Sequence, residues 1–138
     1  MTEQKVALRV DRLTLAKRRW RGAAENGREF GFDLEHALAD GEMFFGDDEK
    51  TYVIAQKPEW VLELPIGPEG ESKALRSPIE EQLRVAWMIG NLHFQIEIGS
   101  DFIRVADDPA VRQLFEREGL HYDACERVFH PLSGHQHH

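Results

Sequence analysis

The stretch from Ser77 to Ile98 constrains the fold more than any other, because it specifies a helix with both ends marked and then a change of period. Ser77 can cap, Pro78 suits the first helical position, and Glu80 completes a capping box while complementing the helix dipole. Ile79, Leu83, Ala86 and Trp87 recur at helical spacing and are expected to form the core face. Gln82, Val85 and Ile89 make a second, weaker stripe. A helix apolar on more than one side in so small a domain points to a partner surface. Gly90-Asn91 reads as the stop, with Gly90 as the left-handed residue. From His93 the period becomes two, with Phe94, Ile96 and Ile98 on one face and His93, Gln95 and Glu97 on the other, which predicts a strand opening on His93.

The elements on either side place the chain in the α+β class. Leu13 to Lys17 and Glu29 to Leu34 alternate as half-buried strands, with Asn26-Gly27 as the turn before the second. Ala39-Asp40-Gly41 is a further turn, and Met43–Phe45 with Thr51–Ala55 predicts a hairpin around a polar loop. Residues 1–58 therefore read as a small all-β domain. Trp60 to Pro65 is a new strand, Gly67 to Ser72 an exposed loop, and Phe102 to Val105 a strand after the Gly99-Ser100-Asp101 turn. Asp108 and Pro109 start a second helix that buries Val111, Leu114 and Phe115 and ends at Gly119; Tyr122 to Phe129 is a last strand. Residues 59–130 thus follow the order strand-helix-strand-strand-helix-strand, the ferredoxin-like βαββαβ unit. Residues 131–138 form a flexible histidine-containing tail.

Composition removes several functions. A net charge of −8 in 138 residues disfavours nucleic-acid binding, which needs a basic footprint. The longest apolar run, Val85 to Ile89, is too short for a bilayer, and the first residues show no signal peptide. Cys125 is the single cysteine, so no internal disulfide forms, in keeping with a cytoplasmic protein; mid-strand, it reads as a small buried hydrophobe. Asp47-Asp48-Glu49 lacks calcium-loop spacing and reads as a solvated hairpin turn. Lys17 to Arg21 has two readings, a charged edge strand or a dock for an acidic partner anchored by Trp20.

The unusual number is seven histidines, with His130, His135, His137 and His138 in the last nine positions. The interrupted spelling of that tail, and His130 ahead of it, argue against an appended tag. His36 and His121 are read as structural. His93 faces away from Phe94, Ile96 and Ile98 and follows the helix with the spare apolar stripe, so a two-fold dimer would turn it into two ligands. The tail imidazoles can complete such a site, and neutral imidazole suits nickel, copper and zinc. A site of surface histidines and a mobile tail is open and exchangeable, and its affinity falls as histidine protonates. An enzyme would need a general base beside an open metal position, and only Glu97 offers one on the His93 face.

Gly90-Asn91-Leu92-His93 after an amphipathic helix resembles the Gly-Asn-x-His motif of the urease accessory protein UreE family, nickel metallochaperones. Leu13-Thr14-Leu15, Ala39-Asp40-Gly41-Glu42 and Phe129-His130-Pro131 before the tail fall in the family's order. The resemblance implies an N-terminal β-domain of peptide-binding type, a ferredoxin-like C-terminal domain, and a homodimer holding nickel between chains. It implies delivery of that nickel to apo-urease through the urease GTPase accessory protein, with His93 as the central ligand and no enzyme activity. Leu92 stands where the family commonly has Arg, Leu132 where it often has Glu, and Asp107-Asp108-Pro109 where some members carry auxiliary histidines. The loop from Gly67 to Ser77 is longer than the family's, and the tail is far shorter than its His-rich extreme, which implies few ions per dimer. The other reading is a protein-interaction or assembly factor that binds metal incidentally.

Overall fold

A computed structural model describes residues 4–67 and 79–132. The chain divides into two compact units, Met1–Pro58 and Glu59–His138. Among the described residues no helix is long and apolar enough to cross a membrane.

The first unit begins with β1 (Gln4–Val10), whose Val6, Leu8 and Val10 point inward at alternate positions. The sequence expectation of a strand over Leu13 to Lys17 is not met. Asp11 accepts the Thr14 backbone N–H at 3.0 Å and starts a single helical turn, α1 (Arg12–Leu15). That hydrogen bond also holds the Asp11 carboxyl below its ordinary pKa. One turn of helix satisfies the Leu13-Leu15 pattern as well as a strand does, by burying Leu15 and leaving Leu13 outside.

β2 (Arg19–Ala23) and β3 (Glu29–Asp33) pair as an antiparallel ribbon, closed through Gly27 at φ +90° as Asn26-Gly27 predicts. β4 (Met43–Gly46) and β5 (Lys50–Gln56) form the expected hairpin, and β1 adds parallel to β5, giving the order β1-β5-β4. In the hairpin loop, Asp47 Oδ1 accepts from the Lys50 N–H at 3.0 Å, so the acidic cluster is a turn. Trp20 is buried against Phe32, with ring centroids 4.3 Å apart, which overturns the reading of Trp20 as an exposed anchor. Gly22 permits this closure: a Cβ there would meet the Trp20 ring at 3.0 Å and Leu8 at 3.2 Å.

The second unit consists of β6 (Glu59–Pro65), α2 (Ile79–Asn91), β7 (Glu97–Ile98), β8 (Phe102–Ala106), α3 (Pro109–Arg117) and β9 (Asp123–Arg127). The sheet order is β7-β8-β6-β9, with every neighbouring pair antiparallel. α3 starts as the sequence indicates: Asp108 accepts the Ala110 N–H at 2.8 Å, and Pro109 takes the first turn. Ser77 and Pro78, the expected start of α2, lie outside the described residues, as does most of the loop before them.

The core face of α2 is the reverse of the expected one. Val85 and Ile89 are 2% and 0% exposed and pack with Leu62, Leu64, Ile103, Val105, Val111, Leu114 and Phe115. Leu83 and Trp87 are 67% and 66% exposed, and Ile79 is exposed as well. Both stripes satisfy helical spacing, so periodicity cannot choose between them. The polar member of the buried stripe, Gln82, is accommodated because its Oε1 accepts the Gly67 N–H at 3.1 Å. Ile89→Ala is therefore expected to lower the unfolding free energy by about 2–5 kcal/mol, and Leu83→Ala by much less. A larger loss for Leu83→Ala than for Ile89→Ala in urea unfolding would place the core on the other stripe.

Candidate functional site

α2 does not stop at Gly90. The helix continues through Asn91, and the Leu92 N–H still bonds the Met88 carbonyl at 3.0 Å. The chain then turns through two bonds, from the His93 N–H to the Gly90 carbonyl at 2.9 Å and from the Phe94 N–H to the Ile89 carbonyl at 3.2 Å. These are the two bonds of a Schellman cap, with His93 at the left-handed position. His93 has φ +66° and is the one described residue other than glycine with positive φ. α3 ends in the same motif: the Gly119 N–H reaches Glu116, the Leu120 N–H reaches Phe115, and Gly119 has φ +68°. α3 thus places glycine where α2 places histidine. A left-handed backbone costs an ordinary L-residue about 1–2 kcal/mol, although histidine is among those that visit the region most.

The cap is held from the next residue on. Phe94 and Ile96 pack against the core, and Phe94 belongs to the same cluster as Ile89, the apolar contact that accompanies this motif. The expected strand from His93 is reduced to β7, Glu97–Ile98. The reason is local: the Phe94 N–H is spent on the helix end, and the Ile96 carbonyl accepts the Leu132 N–H at 2.7 Å. His93 is exposed, with its backbone fixed on both sides. Leu92 beside it is exposed too, and Ile79, Leu83 and Trp87 lie uncovered on the helix that leads to it.

The other candidate residues are distributed unevenly. His130 is exposed, and its backbone N–H donates to Glu97 Oε1 at 3.0 Å, which brings the root of the tail to the segment that follows His93. His135, His137 and His138 lie outside the described residues. His36 and His121 are both exposed. Among the described residues no three of His, Cys, Asp and Glu come together, so a single protomer's described part offers no closed metal site. Exposed imidazole on a fixed backbone fits a borderline metal ion bound with further donors from a tail or a second chain.

Two alternatives lose ground. Glu97 is not a free base: the same Oε1 that receives His130 also accepts from Arg104 Nη1 at 3.1 Å. Cys125 is half-buried on β9, and burial, then the neighbouring Glu63 carboxylate, pushes its thiol pKa up and disfavours the thiolate. Arg104 and Glu63 escaped the sequence reading because opposite charges on β6, β7 and β8 meet only once the register sets Arg104 across from both Glu63 and Glu97.

Residues 73–138 match the model of the UreE urease accessory protein, C-terminal domain. The chain is 26% identical over 122 residues to the urease accessory protein UreE of Pseudomonas fluorescens (strain SBW25), covering 86% of this chain and 68% of that protein. It is 29% identical over 121 residues to that of Ectopseudomonas mendocina (strain ymp), covering 86% and 67%. It is also 29% identical over 133 residues to that of Paraburkholderia xenovorans (strain LB400), covering 91% of this chain but 55% of that protein. The resemblance carried by Gly90-Asn91-Leu92-His93 holds across most of the sequence.

If the left-handed cap costs free energy, His93→Gly should raise the unfolding free energy by about 1 kcal/mol, and Gly119→Ala should lower it by at least about as much. A His93→Gly protein no more stable than the parent in thermal unfolding would mean the backbone at that position is unstrained.

Proposed function

On the premise that this chain is a relative of the UreE urease accessory proteins, we propose that it is a cytosolic nickel-binding metallochaperone that serves urease maturation, working as a homodimer and not as an enzyme. The observation that carries this reading is His93: an exposed imidazole on a strained, doubly hydrogen-bonded cap, at the end of a helix whose outer side is apolar and uncovered. Strain of this kind persists where the surrounding structure over-determines it, which is the usual situation of a functional residue.

The two units fit the rest of the proposal. The second has the strand order and the two helical crossovers of a ferredoxin-like fold, and the first we read as a peptide-binding type of β-domain that meets partners. Those partners are the urease GTPase accessory protein and apo-urease. Ile79, Leu83 and Trp87 would be covered by a second copy, so that two His93 side chains approach one ion across the two-fold axis. His130, His135, His137 and His138 would supply the remaining donors. Nickel here is cargo. An imidazole ligand must be neutral, so loading releases protons and acid unloads the site. A site of exposed histidines completed by a tail favours exchange over permanent retention.

Calorimetric titration with nickel tests the reading. His93→Ala is expected to weaken the tightest site by at least about tenfold, and an unchanged isotherm would defeat the central assignment. Deleting the residues after Ser133 should weaken binding or change its stoichiometry without dissociating the dimer. Leu83→Glu and Trp87→Glu should yield monomers in sedimentation, since each would bury an unpaired charge in the interface. A parent protein that is itself monomeric would exclude the shared site. If partner capture proves indifferent to chelators while His93→Ala has no effect, the assembly-factor reading stands instead.

A further inference from the structure

The metal site makes no use of the cationic run Lys17-Arg18-Arg19-Trp20-Arg21. Trp20 is buried and its neighbours on both sides are exposed, so Arg19 and Arg21 project together from the outer face of the β2–β3 ribbon. The backbone beneath them is fixed: the Lys17 N–H bonds the Thr14 carbonyl at 3.0 Å, and the Leu34 N–H bonds the Arg18 carbonyl at 2.8 Å. Arg9 and Arg28 of the same unit are engaged, with Glu25 at 2.9 Å and Asp47 at 3.1 Å. Among the described residues, Lys17, Arg18 and Arg21 have no carboxylate partner. Arg19 lies 3.6 Å from Asp33, with the two side chains 83% and 78% exposed, a contact that contributes little. Beside Arg21 an open groove of about 440 Å³ is lined by Arg21, Gly22, Ala23, Glu29, Phe30 and Gly31. Gly31, opposite Arg21 in the register, keeps it open: a Cβ there would lie 3.8 Å from Arg21 Nε.

We propose that this face of the ribbon docks an extended acidic segment of a partner protein, whose carboxylates pair with Arg19 and Arg21 while one of its side chains enters the groove over Gly31. The inference rests on the reading of the first unit as one that meets partners, and gives that partner its chemistry. The spacing suits an extended chain. Arg19 and Arg21 are one strand repeat apart, about 7 Å, and an extended segment carries the side chains of one face at the same interval. A guanidinium offers a planar fork of donors that a carboxylate fills with two bonds. Lys17 and Arg18 carry the positive charge beyond the strand, where it steers an acidic partner. A membrane or a nucleic acid fits worse. Either spreads anionic charge over its whole surface and would press it against Asp33 and Glu29 on the neighbouring strand, on a chain of net charge −8. A polypeptide can confine its carboxylates to the β2 side and meet Asp33 and Glu29 with donors.

A fluorescein-labelled peptide alternating Glu and Thr tests the face, read by fluorescence anisotropy against the full chain at physiological ionic strength. The parent should bind it, and more weakly as salt is raised. Arg19→Glu combined with Arg21→Glu should weaken binding by at least about tenfold. Gly31→Val should weaken it several-fold with every charge intact. Its Cβ meets Arg21 only at ordinary contact distance and a β-branched residue suits a strand, so the unit should fold, which circular dichroism would verify. The proposal is overturned if the double variant or Gly31→Val binds the peptide as the parent does, or if the parent prefers phosphatidylserine vesicles or duplex DNA. A double variant that self-associates in sedimentation while still binding the peptide also overturns it, and assigns the run to protecting the strand from aggregation. Nickel titration keeps the two readings apart. A protein that binds nickel and not the peptide loses this face and keeps the chaperone reading; peptide binding without nickel uptake does the reverse.

Discussion

Ile89 is the residue on which the arrangement of the second unit turns. Its side chain is fully buried in the cluster formed by α2, α3 and the sheet, and its carbonyl receives the N–H of Phe94, which packs into the same cluster. Seating Ile89 and Val85 fixes the rotation of α2 about its axis. That rotation puts Leu83 and Trp87 in solvent, and the cap that follows puts His93 in the left-handed region. Burying a side chain of this size contributes about 1.5–3 kcal/mol, more than the about 1–2 kcal/mol that a left-handed histidine costs. The core therefore wins, and His93 takes the conformation left to it.

The two ends of the proposed site are held by different physics. His93 is fixed by backbone hydrogen bonds and an apolar contact, which depend little on pH or salt. His130 is held through Glu97 and the guanidinium of Arg104, a charged cluster with some shielding from water, and Leu132 by a backbone bond to Ile96. Glycine would serve the cap better than His93 does, as Gly119 shows at the end of α3.

Features written within three or four residues were legible. The Asn26-Gly27 and Ala39-Asp40-Gly41 turns, the Asp108-Pro109 helix start and the Gly119 stop all form as their side chains and backbone freedom dictate. Where two local patterns compete, reading failed. Leu13 to Lys17 alternates like a strand, yet the Asp11 carboxylate bonding the Thr14 N–H makes one helical turn there. Gly90 looks like a stop because glycine so often is one, yet the bonds that end the helix form three residues later. Trp20 sits in a basic run that looks solvated, yet its ring closes the first unit's core against Phe32.

The sequence by itself determined the α+β class, most turn and cap positions, and His93 as an outward-facing histidine at a helix end. Each of these depends on hydrogen bonds and backbone preferences among near neighbours in the chain. Only the tertiary structure decided which stripe of α2 is core, that His93 is the left-handed residue, and that Glu97 is bound by Arg104 and His130. Those outcomes depend on which volumes fit between a helix and a sheet, and on strand register that brings Glu63, Glu97 and Arg104 together. Residues that far apart in sequence leave no periodic trace of meeting.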